Sequence, residues 1–140
     1  MNEAGARRQM HLGAFFFGVG HHLAAWRHPD VDPGAASRIE ALREWTRIAE
    51  AAKFDAIFFA DNVGLPGPPD AVVAKNALWY PLDPLVTLAA LSQSTTHIGL
   101  VATVSATYLP PYHLARKYAS LDQVSGGRSG WNLVTSGSDF

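Results

Sequence analysis

Four short apolar runs separated by three segments of helical pattern constrain this chain more than any other feature. The runs are MHLGAFFFG (Met10–Gly18), FDAIFFAD (Phe54–Asp61), HIGLVATVS (His97–Ser105) and RSGWNLVTS (Arg128–Ser136). Each is too short for a buried helix and rich in Phe, Val, Ile or Leu, which suits a strand of a buried parallel sheet. The order is therefore β-α-β-α-β-α-β. Strands alternating with helices predict an α/β fold with a parallel sheet and helices on its faces.

The helices carry their own start and stop signals. In SRIEALREWTRIAEAAK, Ser37 and Glu40 have capping-box spacing, and Ile39, Leu42, Trp45, Ile48, Ala49 and Ala52 are expected on one face. DPLVTLAALSQST offers Asp83 as N-cap with Pro84 at the first helical position. In PPYHLARKYASLDQVSGG, Pro111 opens a helix whose Leu114, Tyr118 and Leu121 share a face, and Gly126–Gly127 end it. Asn62–Leu82, with Pro66, Pro68, Pro69 and Pro81, reads as a long loop.

Composition excludes several classes of function. With 140 residues and 48% hydrophobic content there is enough chain for a real core. A net charge of −1 gives no support for nucleic-acid or membrane-surface binding. The absence of cysteine removes disulfides, thiolate metal sites and cysteine nucleophiles, and fits a cytoplasmic protein. Arg7 and Arg8 before an apolar run imitate a secretion signal, but His11, Gly13, Gly18 and Gly20 interrupt it and no cleavage site follows. No stretch reaches the ~18 apolar residues of a membrane span.

In parallel α/β folds ligands bind at the carboxyl ends of the strands. That places Gly18–Asp32, Asp61–Leu82, Thr103–Pro110 and Asn132–Asp139 on the ligand face, whereas the opposite turns, at Lys53 and at Thr95–Thr96, are very short. Asp61 closes an apolar strand there, either as a loop aspartate or as a buried acceptor for ligand hydroxyl or N–H groups. Thr103 is either a satisfied core threonine or a ligand contact. Asn132 offers a donor and an acceptor beside Trp131, or is a turn residue at the strand end.

Familiar motifs fail. GVGHHL has Leu23 where a dinucleotide fingerprint needs its third glycine, and GRSGW is one residue short of a nucleophile elbow. There is no phosphate loop and no H-E-x-x-H. His21, His22, His28, Asp30 and Asp32 share one loop, but their spacing matches no metal site. A polar loop on the substrate side is the expectation instead.

Read together, KFDAIFFAD, AWRHPD and IGLVATVSATYLPPYHLARKYASLDQVSGGRSGWNLVTS resemble the flavin-dependent monooxygenases of the bacterial-luciferase-like superfamily. The nearest group is that of nitrilotriacetate monooxygenase component A, dibenzothiophene-sulfone monooxygenase and long-chain alkane monooxygenase. SATYLPPYHLAR and LDQVSGGRSGWNLVTS carry the group-level likeness, which runs from about Met10 to Ser138. It implies a (β/α)8 barrel that uses reduced FMN as co-substrate, delivered by an NAD(P)H:flavin reductase. One atom of O2 would enter a small organic substrate and the other would leave as water.

On this resemblance Asp61, Thr103 and Asn132 are expected at the cofactor, and Trp26, Arg27 and His28 at the substrate mouth. No catalytic acid or base and no metal are implied. Residues 1–140 would form the first four strands of the eight, a truncated domain expected to be inactive alone and to associate with further copies through its open edges. Two alternatives stand beside this: a deazaflavin-dependent oxidoreductase of the same superfamily, against which GWNLVTS argues, and a non-catalytic half-barrel that binds flavin or assists assembly.

Overall fold

A computed structural model describes residues 9–22, 24–63 and 81–136. The strands are β1 (Gly13–Phe16), β2 (Ala56–Phe59), β3 (Gly99–Ser105) and β4 (Ser129–Val134). The helices are α1 (Ile39–Ala51), α2 (Pro84–Ser92) and α3 (Pro111–Ser125). All strand pairings are parallel, in the order β1-β2-β3-β4. Each helix thus crosses from one strand to its neighbour, the winding of a (β/α) barrel. Every strand is shorter than its apolar run. The flanking residues Leu12, Asp55 and Arg128 make strand-like hydrogen bonds just outside the ladders.

The helices lie on one face. Ile57, Leu100, Ala102 and Val104 point towards them and form the core with Leu42 and Ala49 of α1, Leu85, Leu88 and Leu91 of α2, and Leu114 and Leu121 of α3. Register fixes the other face. Phe15, Phe58, Val101 and Gly130 are aligned across the four strands, with Thr103 aligned to Asn132 one step further. The apolar runs predict cover on both faces, yet β1 and β4 alternate between exposed and half-buried residues. On this second face Phe15 keeps 39% of its surface exposed while Thr103 and Ser105 are buried, and in β4 the exposed residues, Trp131 and Leu133, lie on the helix side.

Helix ends divide the expectations. Asp83 caps α2 by accepting from the Val86 N–H at 3.0 Å, with Pro84 in the first turn, as its sequence predicts. Gly126 ends α3 at φ +70°, a left-handed position that glycine occupies without a Cβ penalty. The capping box of α1 does not form. Ser37 belongs to a one-turn 3-10 helix (Ala35–Ser37), and its hydroxyl donates back to the Gly34 carbonyl at 3.0 Å. The inner stripe of α1 keeps Ile39, Leu42, Trp45 and Ala49 of the expected face but takes Thr46 in place of Ile48 and Ala52. Leu42, Thr46 and Ala49 are buried, Ile48 is 57% exposed and Ala52 is exposed. Thr46 escapes an apolarity count because it satisfies its hydroxyl locally, donating to the Leu42 carbonyl at 2.7 Å. The proline-rich part of the predicted loop, residues 64–80, lies outside the described residues.

At the amino ends of the strands, polar groups are tied together closely. The Glu50 carboxylate at the end of α1 accepts from three successive N–H groups, Thr96 (2.8 Å), His97 (2.6 Å) and Ile98 (3.0 Å). Burial would raise its pKa, but these three donors, helped by His97, hold it below the usual glutamate range. The Arg128 guanidinium donates to the carbonyls of Ser125, Ile98, Ser92 and Thr95 and to the Thr95 hydroxyl, at 2.7 to 3.2 Å. One side chain thereby joins the ends of α2 and α3 to the starts of β3 and β4.

Candidate active site

The carboxyl ends of β3 and β4 bring Thr103 and Asn132 together. They are register partners on the face away from the helices, and the Asn132 Nδ2 donates to the Thr103 Oγ1 at 3.0 Å. Thr103 is buried and Asn132 half-buried. This one bond leaves chemistry unused. The Thr103 hydroxyl hydrogen, the Asn132 Oδ1 and the second Asn132 N–H are available in principle to a ligand. Beside them, towards the amino ends, the surface is apolar. Phe15 and Phe58 pack with ring centroids 4.8 Å apart. Gly130 lets Val101 approach closely, since a Cβ there would meet Val101 Cγ2 at 2.9 Å.

The polar strip continues beyond the predicted residues. Ser105 lies two residues after Thr103 on the same face, and its hydroxyl is 2.9 Å from the Ser136 hydroxyl. It also accepts from the N–H groups of Thr107 and Ser136, each at 3.3 Å. The signal was present in the sequence: strand period two places Ser105 with Thr103.

Asp61 sits just past β2, at the same carboxyl edge. Burial holds its carboxyl above the ordinary aspartate range, against the Asn62 N–H that it accepts and with reinforcement from the charge of Asp83. Its electrostatic neighbour is thus Asp83, the cap of α2.

Trp26 and Arg27 fall in a one-turn 3-10 helix (Ala25–Arg27) that ends at His28. These side chains are engaged within their own loop. The Arg27 guanidinium lies 4.9 Å from the Trp26 ring centroid, and the His28 Nδ1 accepts from the Asp30 N–H at 3.3 Å. A groove of about 590 Å³ lies beside this loop, with Phe15, Phe17, His21, Asp30, Arg38 and Trp45 in its wall. His21 stacks on Phe17 with centroids 4.7 Å apart. Asp32 pairs with Arg38, whose hydrogen bond holds the carboxyl below its usual range. Among the described residues, no three His, Asp or Glu gather as metal ligands. Nor is any helix among them long and apolar enough to cross a membrane.

Comparison with known proteins gives this arrangement its family. Residues 19–140 match the luciferase-like monooxygenase family. The chain is 44% identical over 130 residues to N-acetyl-S-(2-succino)cysteine monooxygenase of Bacillus subtilis (strain 168), covering 93% of this chain and 28% of the relative. It is 43% identical to nitrilotriacetate monooxygenase component A of Aminobacter aminovorans, over 94% of this chain and 31% of that protein. Among solved structures, a riboflavin lyase with modified FMN and riboflavin superposes with a TM-score of 0.81 at 38% identity, over 93% of this chain and 30% of that one. The chain therefore spans about a third of the length of these relatives. The parallel β/α order and these likenesses agree: the chain belongs to the luciferase-like monooxygenase family.

Proposed function

We propose that this chain carries part of the flavin site of an FMNH2- and O2-dependent monooxygenase acting on a small organic substrate. The observation that supports it best is the Thr103–Asn132 pair beside an apolar sheet face. A flavin ring is flat and mostly apolar, with a hydrogen-bonding edge. Phe15, Phe58, Val101 and Gly130 offer an apolar surface with room for close approach at the glycine. Thr103 and Asn132 offer a donor and an acceptor at its polar end. The solved relative that holds a modified FMN favours the same cofactor.

In this reading the reduced flavin supplies the electrons and the site of oxygen activation, and the protein supplies orientation and exclusion of water. Thr103 and Asn132 orient the ring edge. Asp61, which burial biases towards the neutral acid, offers a further hydrogen bond to the cofactor. Trp26, Arg27 and His28 belong to the loop whose next residues, Asp30 to Asp32, enter the groove wall, and in this reading that loop meets the substrate. A relative named as component A of its system supports delivery of reduced FMN by a separate NAD(P)H:flavin reductase. Relatives named monooxygenases favour oxygen transfer over the deazaflavin alternative. The four strands are half of those in a (β/α)8 barrel, and association of copies is part of the proposal.

Anaerobic titration with reduced FMN tests this reading. Asn132→Ala and Thr103→Val are expected to weaken binding about tenfold each, with the circular-dichroism spectrum unchanged. Unchanged affinity in both variants would remove the pair from the flavin site.

A further inference from the structure

One side-chain hydrogen bond does not by itself place an amide. Asn132 lies on β4, which among the described residues pairs only with β3. What holds β4 at this point is on the opposite face of the sheet. The Trp131 Nε1 donates to the Val104 carbonyl at 3.1 Å, reaching past Ala102, its own register partner. The indole packs against Tyr118 of α3, with ring centroids 5.1 Å apart and planes inclined at 31°. The Tyr118 hydroxyl in turn donates to the Ala102 carbonyl at 2.7 Å. Burial raises the phenol pKa, so Tyr118 remains a donor at neutral pH. The two rings therefore grip the β3 carbonyls on either side of Thr103.

We propose that Trp131 is a positioning residue: from the helix side, backed by Tyr118, it sets where the Asn132 amide meets Thr103 on the ligand side. Trp131 and Asn132 are consecutive, so they point to opposite faces. Fixing the indole against Val104 and Tyr118 fixes the strand backbone from which Asn132 projects. On the same face as Asn132, Gly130 allows β4 to lie close to Val101, where a Cβ would come within 2.9 Å of Val101 Cγ2. Asn132 is thus located from both faces. Its value to a flavin rests on the function proposed above; its location rests on the brace alone.

The test separates these two claims. Side-chain amide resonances of Asn132 are recorded in the chain without flavin, and reduced-FMN affinity is measured separately. Trp131→Phe keeps an aromatic ring beside Tyr118 but removes the N–H donor. It is expected to shift the Asn132 amide resonances and to weaken reduced-FMN binding about fivefold. Leu133→Ala is the control, since Leu133 shares the outer face of β4 and is 55% exposed; it is expected to do neither. Unmoved Asn132 resonances in Trp131→Phe, or an equal shift in Leu133→Ala, would overturn the brace. Should Trp131→Phe fail to fold, Tyr118→Phe takes its place, removing one donor while keeping the ring. A smaller shift of the same resonances supports the brace and no shift overturns it. If Asn132→Ala binds reduced FMN normally while Trp131→Phe moves the Asn132 resonances, the brace stands and the flavin reading falls.

Discussion

The two ends of the sheet are built differently. At the amino ends, Glu50 accepts from three backbone donors and Arg128 donates to four backbone carbonyls and one hydroxyl. At the carboxyl ends, Thr103 and Asn132 share one bond and keep spare hydrogen-bonding capacity. Asp61 is held in a setting that disfavours its charge. One end converts its polar groups into connections between elements. The other leaves polar groups incompletely used, which costs stability and leaves capacity for a ligand. In (β/α) folds this division separates the stabilising face from the reacting one.

Substitutions at the two ends should therefore differ in sign as well as size. The largest effect is expected from Arg128→Ala, which orphans partly buried carbonyls at the ends of two helices. A loss of about 3–4 kcal/mol by urea unfolding is expected. Arg128→Lys should recover little of it, because an ammonium cannot span that fan of acceptors. A loss under ~1 kcal/mol would refute the hub.

Glu50→Ala should cost about 1–2 kcal/mol at neutral pH, after allowance for solvent exposure. The Glu50 pKa is lower in the folded state, so its contribution is present above the unfolded pKa and is lost as pH falls through the folded one. The wild type should thus lose stability on acidification below the ordinary glutamate range of about 4.3, and the variant should lose less. Parallel pH curves would break the comparison at its amino end.

Thr103→Val should change stability by less than ~1 kcal/mol while weakening reduced-FMN binding, since the two shapes match and the Asn132 amide can turn to solvent. The smallest effect, and the opposite sign, is expected at Asp61. Its folded pKa is raised, so its charge costs stability above that pKa and the cost vanishes on acidification. Asp61→Asn should stabilise the protein at neutral pH by under ~0.5 kcal/mol, a figure reduced for its partial exposure. A clear destabilisation would place Asp61 among the structural groups instead.

Much of this was legible in the residues. The four apolar runs and three helical patterns state the β-α order, and Asp83-Pro84 and Gly126 mark helix ends because their physics is local. Thr103 and Asn132 each stand out in the sequence as polar residues towards the carboxyl ends of apolar strands. Their contact was not legible, because it depends on the register between β3 and β4, which no local pattern encodes. The failed capping box has a similar cause: α1 starts at Ile39 with Arg38 at its N-cap, so Ser37 falls one residue too early to accept from the first turn.

The sequence by itself determined the order of elements and the parallel sheet, since periodicity and turn chemistry act over a few residues. Only the tertiary structure decided that Arg128 ties four elements together, that Trp131 and Tyr118 grip the β3 carbonyls around Thr103, and that Asn132 meets Thr103 from the neighbouring strand. Apart from the Arg128–Ser125 bond, those contacts join residues 13 to 36 positions apart. They exist because packing a helix layer on one face of a sheet brings such residues within hydrogen-bond reach.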